Sequence, residues 1–140
     1  MEKRRRVMDA QILLEEYRNL LEDESITALP LVISGNSMVP FLVGGRDTVY
    51  LSKLKGDVKK GDVVLYRRDS GAYILHRVYK VDKTGCTMVG DAHTQLETGI
   101  RKDQLIAVMT SALRKGRMEK PGTFWWDFFE KLWINMILLK

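Results

Sequence analysis

Ser37 is the residue whose setting best suits a nucleophile. It lies in Ser34-Gly35-Asn36-Ser37-Met38-Val39-Pro40, where an apolar run ends at a sharp break. A serine attacks well only when its hydroxyl is exposed, a base lies within hydrogen-bond reach, and N–H donors point at the developing oxyanion. Gly35 permits the backbone geometry of such a turn, and Pro40 stops the preceding strand from continuing. Read alone, the same residues also make an ordinary Gly/Pro turn. The rest of the inventory narrows the chemistry. The single Cys86 rules out an internal disulfide and reads as a small strand residue, and two histidines supply no Cys/His cluster for zinc. No metal or organic cofactor is implied.

The segment Ser34 to Leu42, SGNSMVPFL, resembles the nucleophile box of the signal peptidase I superfamily, which also includes the self-cleaving LexA-type repressors. Two further boxes follow in the family's order. Gly61-Asp62-Val63-Val64-Leu65-Tyr66 with Tyr73-Ile74-Leu75-His76-Arg77-Val78 resembles the second region. Its general base is a lysine or, in the archaeal, endoplasmic-reticulum and spore-former types, a histidine, which implies His76. Val89-Gly90-Asp91, with Glu97 beyond, resembles the third box, whose acidic residue orients that histidine. The resemblance implies a serine endopeptidase that cuts a precursor, leader or signal-type peptide after small residues. Ser37 would be the nucleophile and His76 the base. The Ser37 N–H would hold the oxyanion with a second donor from Ser34 or Asn36.

Strand geometry bears on the acids. Over 73–81, a period of two puts Ile74, His76 and Val78 on one face and Leu75, Arg77 and Tyr79 on the other. His76 and Arg77 therefore need different partners. Glu97 is assigned to His76 as orienting acid and Asp91 to Arg77 as a structural salt bridge. Asp91 stays the rival orienting acid, because Glu97 stands where relatives carry aspartate. His93, where relatives commonly have asparagine, reads as a loop histidine. Lys80 lies on the His76 face but four residues too late for the lysine base of a LexA-type self-cleaving regulator.

These residues must be positioned by one domain, since 140 residues at 45% hydrophobic give one real core and no room for two. Strands are expected at 29–33, 48–51, 63–67, 73–81, 86–89 and 105–113, separated by Gly-rich turns. Many short strands without intervening helices imply a mainly β fold, a coiled antiparallel sheet closing toward a barrel, as the resemblance also implies. The chain divides into an N-terminal amphipathic helix (1–27), a catalytic domain (28–118) and a C-terminal amphipathic helix (119–140). Val7, Ala10, Leu14, Tyr17 and Leu21 form the stripe of the first helix, which is too short for a helix-turn-helix domain.

The last helix is strongly apolar, 12 of 16 residues from Phe124 to Leu139. It measures roughly 24 Å, short of a ~30 Å hydrocarbon core. It is expected to lie in a membrane interface, with Trp125, Trp126 and Trp133 near the headgroups and the preceding basic residues meeting anionic lipid. The competing expectation is that it covers the domain's own sheet or a partner. A net charge of +5 and a pI near 9.4 suit an anionic partner, without favouring nucleic acid. No secretory signal or spanning segment is recognised, so the expected location is cytoplasmic, at the inner membrane surface. The alternative from another class is a non-catalytic peptide- or nucleic-acid-binding module on the same fold.

Overall fold

The computed structural model describes residues 15–93 and 95–136. Residues 15–21 are helical (α1). The strands are β1 (Leu29–Val32), β2 (Thr48–Lys53), β3 (Val63–Arg67), β4 (Tyr73–Asp82), β5 (Gly85–Val89), β6 (Glu97–Ile100), β7 (Leu105–Arg114) and β8 (Arg117–Glu119). They form one antiparallel sheet in the order β1-β2-β7-β3-β4-β5-β6, with β8 added to β7. The expected mainly β class holds, but the sheet does not close into a barrel. Its two end strands, β1 and β6, have four residues each and do not pair with one another. A groove stays open on the β1 side.

The central strand β3 shows why the sheet bends around two cores. Val63 and Leu65 enter one apolar cluster, with Met38, Phe41, Val49 and Met109, while Val64 and Tyr66 enter the other, with Val78, Cys86 and Met88. Alternate side chains point to opposite faces, so a strand apolar at every position is buried on both. β6 and β8 were not foreseen. β6 is Glu-Thr-Gly-Ile, with little strand propensity of its own, and pairing to β5 sets its conformation. β8 returns through Lys115 and Gly116, both at positive φ, the geometry of a two-residue hairpin turn.

Both terminal segments join the first core rather than standing apart. Tyr17 and Leu21 are buried there, and the Tyr17 hydroxyl donates to Leu29 O at 2.6 Å. The helix ends before the expected residue 27, because the Asp23 carboxylate accepts from the Ser25 N–H and hydroxyl and turns the chain. Val7, Ala10 and Leu14 lie outside the described residues.

The C-terminal run comprises α2 (Phe124–Asp127), a wider π turn (Phe128–Trp133) and α3 (Ile134–Met136). Here the expectation of three tryptophans at a lipid surface fails for two of them. Trp126 is buried with Phe129 in the core, and its Nε1–H donates to Glu130. Trp133 packs against the same core and donates to Asp91 O at 3.0 Å. The Trp126 ring packs edge-on against Phe41, and the Trp133 ring packs against Phe129, which itself lies on Phe41. No helix among the described residues is long and apolar enough to cross a membrane.

Candidate active site

Ser37 follows β1 on a loop held from both sides. Ile33 and Gly45 exchange backbone bonds with this region, Ile33 N to Asp47 O and Gly45 N to Ile33 O, each at 3.0 Å. A Cβ on Gly44 would stand 2.5 Å from Gly35 O, so the Ser34–Gly35 backbone rests directly on Gly44. Gly35 takes φ +79°, where a side chain would be strained. Met38, Phe41 and Leu42 anchor the far side in the core. Ser37 is left half-buried, and its carbonyl accepts from Ala92 N at 3.0 Å. Among the described residues no backbone acceptor takes the Ser37 N–H. That donor is available to an oxyanion.

His76 sits in β4, opposite Val64 of β3. Buried Gly90 is what lets it approach the nucleophile loop. A Cβ at Gly90 would lie 2.4 Å from Ser37 O, 2.6 Å from His93 Cδ2 and 3.1 Å from His76 Nε2. The Nε2 edge of the imidazole and the Ser37 backbone thus meet across a residue without a side chain. The Ser37 hydroxyl and His76 are not hydrogen-bonded to each other. Such bonds commonly form only once substrate is bound.

The other ring nitrogen faces Tyr66, two residues beyond Val64 on the same face of β3, with Nδ1 3.4 Å from the hydroxyl oxygen. The Tyr66 hydroxyl donates to Glu97 Oε1 at 2.6 Å, and Arg68 clamps both Glu97 oxygens at 2.9 and 3.0 Å. Because the single phenolic proton goes to Glu97, the Tyr66 oxygen is left to accept from Nδ1–H. This ordering puts the unprotonated nitrogen, Nε2, on the Ser37 side.

Charge supports a neutral ring. Burial foremost, then His93 and Arg68, lowers the His76 pKa to about 4, against a smaller upward pull from Glu97. Burial works to raise the Glu97 carboxyl, but the hydrogen bonds from Arg68 and Tyr66 outweigh it and hold it below its ordinary range. Burial and the Glu97 carboxylate push the Tyr66 phenol above its ordinary value, so it keeps its proton.

The residues singled out in the sequence divide as follows. Asp91 and Arg77 form a buried two-pronged ion pair at 2.8 and 2.9 Å, and Arg77 also donates to Gly61 O. Glu97 does not touch His76 directly; the expected contact passes through Tyr66, because Glu97 is drawn toward Arg68. Ser34 lines the groove beside Ser37, and Asn36 does not. His93 is on a loop, yet its ring stands 5.8 Å from that of His76. Lys80 is exposed beyond a register irregularity in β4 and does not line the groove. Sequence reasoning missed Tyr66, Arg68 and the steric role of Gly90. Tyr66 carried one usable signal, its place two residues from the cross-strand partner of His76.

The groove has a volume of about 860 Å³ and is walled by Leu31, Ile33, Leu65, Tyr73 and Leu75, with Ser37 and His76 in its lining. Among the described residues β1 pairs only with β2, and residues 73–76 of β4 pair only with β3, so each presents a strand edge without a described partner. No family model, curated protein or solved structure matches the chain. A second cavity of about 340 Å³ lies on the Glu97 side of His76, lined by Arg68, Met88, His93 and Leu96. The imidazole is thus reached from an apolar groove on one side and a polar recess on the other.

Proposed function

We propose that the chain is a serine endopeptidase that cuts an extended peptide held in the groove beside β1. One observation carries this reading: a neutral His76 presents Nε2 to the Ser37 loop across Gly90, in the lining of an apolar groove with strand edges that have no described partner. An incoming strand would satisfy those edges with backbone hydrogen bonds while its side chains settle against Leu31, Ile33 and Leu75. His76 Nε2 takes the Ser37 proton as Oγ attacks the scissile carbonyl. The oxyanion is held by the Ser37 N–H, with the Ser34 hydroxyl the better placed of the two side-chain donors. The tetrahedral adduct collapses to an acyl-enzyme, and the imidazolium gives its proton to the departing amine. Water, deprotonated by His76, then releases the acid.

Two supports come from the surroundings. The Glu97–Tyr66 pair fixes the tautomer this sequence of steps needs, and Arg77–Asp91 braces the β4 strand that carries His76. The test is incubation of the purified protein with a mixed peptide library, followed by mass spectrometry of new termini. Cleavage by the native protein that vanishes in Ser37→Ala and falls by about two to four orders of magnitude in His76→Ala is expected. Equal cleavage in native and Ser37→Ala protein would overturn the reading.

A further inference from the structure

The C-terminal helix has a second apolar face, turned away from the core. Phe124 and Leu132 are 70% and 57% exposed, with Trp125 and Met136 beside them at 44% and 47%. Phe124 stacks on Phe128 and Trp125 meets both rings edge to face, so this is a preorganised aromatic platform and not scattered side chains. An apolar patch of this kind on a folded surface marks a contact. The charges around it identify the partner.

Arg114, Lys115, Arg117 and Lys120 lie on the β7–β8 hairpin and the short link from it into the helix, and Lys131 lies on the helix itself. Among the described residues none of the five forms an ion pair with a carboxylate. The neighbouring acids are occupied: Glu119 by the Thr123 hydroxyl, Asp127 by Gly122 N, and Glu130 by Trp126 and Lys59. Arg114 joins hairpin to helix, its guanidinium lying over the Trp125 ring while Nε donates to Phe41 O. Exposed aromatics beside five cations that outnumber the three neighbouring acids match the boundary of an anionic bilayer, where rings enter the headgroup region and cations meet phosphate. A second copy of the chain is a poor occupant, because two-fold pairing would bring the same cations together.

We propose that the face formed by Phe124, Trp125 and Leu132 with Lys115, Arg117 and Lys120 binds an anionic lipid surface. Arg114 ties this surface to the loop that carries Ser37 by its bond to the Phe41 carbonyl. The contact differs from a helix lying alone on the membrane: the inward face stays packed in the core, and only the outer face meets lipid.

Flotation with phosphatidylcholine vesicles, with and without phosphatidylglycerol, tests this independently of any peptidase activity. Native protein is expected to float with the anionic vesicles and not with the neutral ones. Each surface cation contributes about fivefold, so Lys115→Gln/Arg117→Gln/Lys120→Gln should weaken binding on the order of a hundredfold. Phe124→Ser/Trp125→Ser should weaken it about tenfold or more while the melting temperature is retained. Absence of binding by native protein, or binding by both variants as tight as native, would overturn the proposal. So would a native dimer in sedimentation that Phe124→Ser/Trp125→Ser converts to monomer, since the patch would then belong to a second copy.

Discussion

Replacing Tyr66 by Phe removes one oxygen atom and leaves the ring buried in the cluster that holds Val64 and Met88. The lost oxygen stands 3.4 Å from His76 Nδ1 and 2.6 Å from Glu97. With a neutral imidazole, so long a bond is worth only about 0.5 kcal/mol. When His76 takes the serine proton the bond becomes charge-assisted, worth about 1.5–3 kcal/mol. The difference, roughly 1–2.5 kcal/mol, is lost only in the transition state, so kcat/KM should fall about 5- to 70-fold with KM little changed. Glu97→Gln should cost a similar amount, since Glu97 reaches the imidazole through Tyr66. Acting in series, the two residues should not add, and Tyr66→Phe/Glu97→Gln should be about as active as the poorer single variant. The assay is kcat/KM on a cleaved peptide for all four proteins, with melting curves to show that each is folded. Additive losses would refute the series arrangement. So would a Glu97→Gln loss beyond about a thousandfold beside a nearly native Tyr66→Phe, the mark of an acid bonded directly to the base.

A His76 pKa of about 4 predicts that kcat/KM is flat from neutral pH down to about pH 5 and falls below it, where an ordinary histidine would lose activity near 6.5. Since the Glu97 carboxylate raises that pKa, Glu97→Gln should move the acid limb to still lower pH. The same shift acts on stability. The unfolded chain takes up a proton below about 6.5 that the folded chain refuses until about 4, so stability is present above this window and is lost as pH falls through it, by at most about 3 kcal/mol. Urea unfolding at pH 7 and pH 5 should show a smaller difference in His76→Gln than in native protein. Gly90→Ala forces a methyl group against Ser37 O, which cannot move without the loop, and should reduce activity about 100-fold or more and melting by roughly 2–8 °C. Asp91→Asn leaves the Arg77 guanidinium buried beside a neutral partner and should destabilise by about 3–5 kcal/mol, with kcat per folded molecule largely kept. A large loss of kcat in a stably folded Asp91→Asn would instead make Asp91 the orienting acid.

The strands with strong local patterns were legible, with β3 (Val63–Arg67) matching residue for residue and β4 within one residue. Alternation in β4 was enough to separate Arg77 from His76; giving Asp91 to Arg77 drew also on the box spacing that the resemblance implies, and the structure pairs the two. What stayed hidden depends on contacts distant in sequence. Glu97 lies 31 residues from Tyr66, and nothing local tells that a buried tyrosine and Arg68 both reach it. Gly90 looks like any loop glycine until the Ser37 carbonyl is brought against it. The C-terminal helix was misjudged for a related reason. Its apolar content exceeds what one face can bury, and the sequence did not divide Trp126 and Trp133, which cover Phe41 and Asp91, from Trp125, which faces outward. Closure of the sheet was expected from strand number, whereas the short end strands leave it open.

The most direct measurement of the central claim is a mass-spectrometric map of new peptide N-termini in cells producing this protein, set against cells producing Ser37→Ala at equal folded level. Termini that require the native serine, preceded by a stretch able to lie extended along β1, are the predicted result, and they would name the precursor and the cutting rule. Identical maps from the two proteins, repeated with the purified proteins on a peptide library, would contradict the account and leave the groove as a peptide-binding site without catalysis.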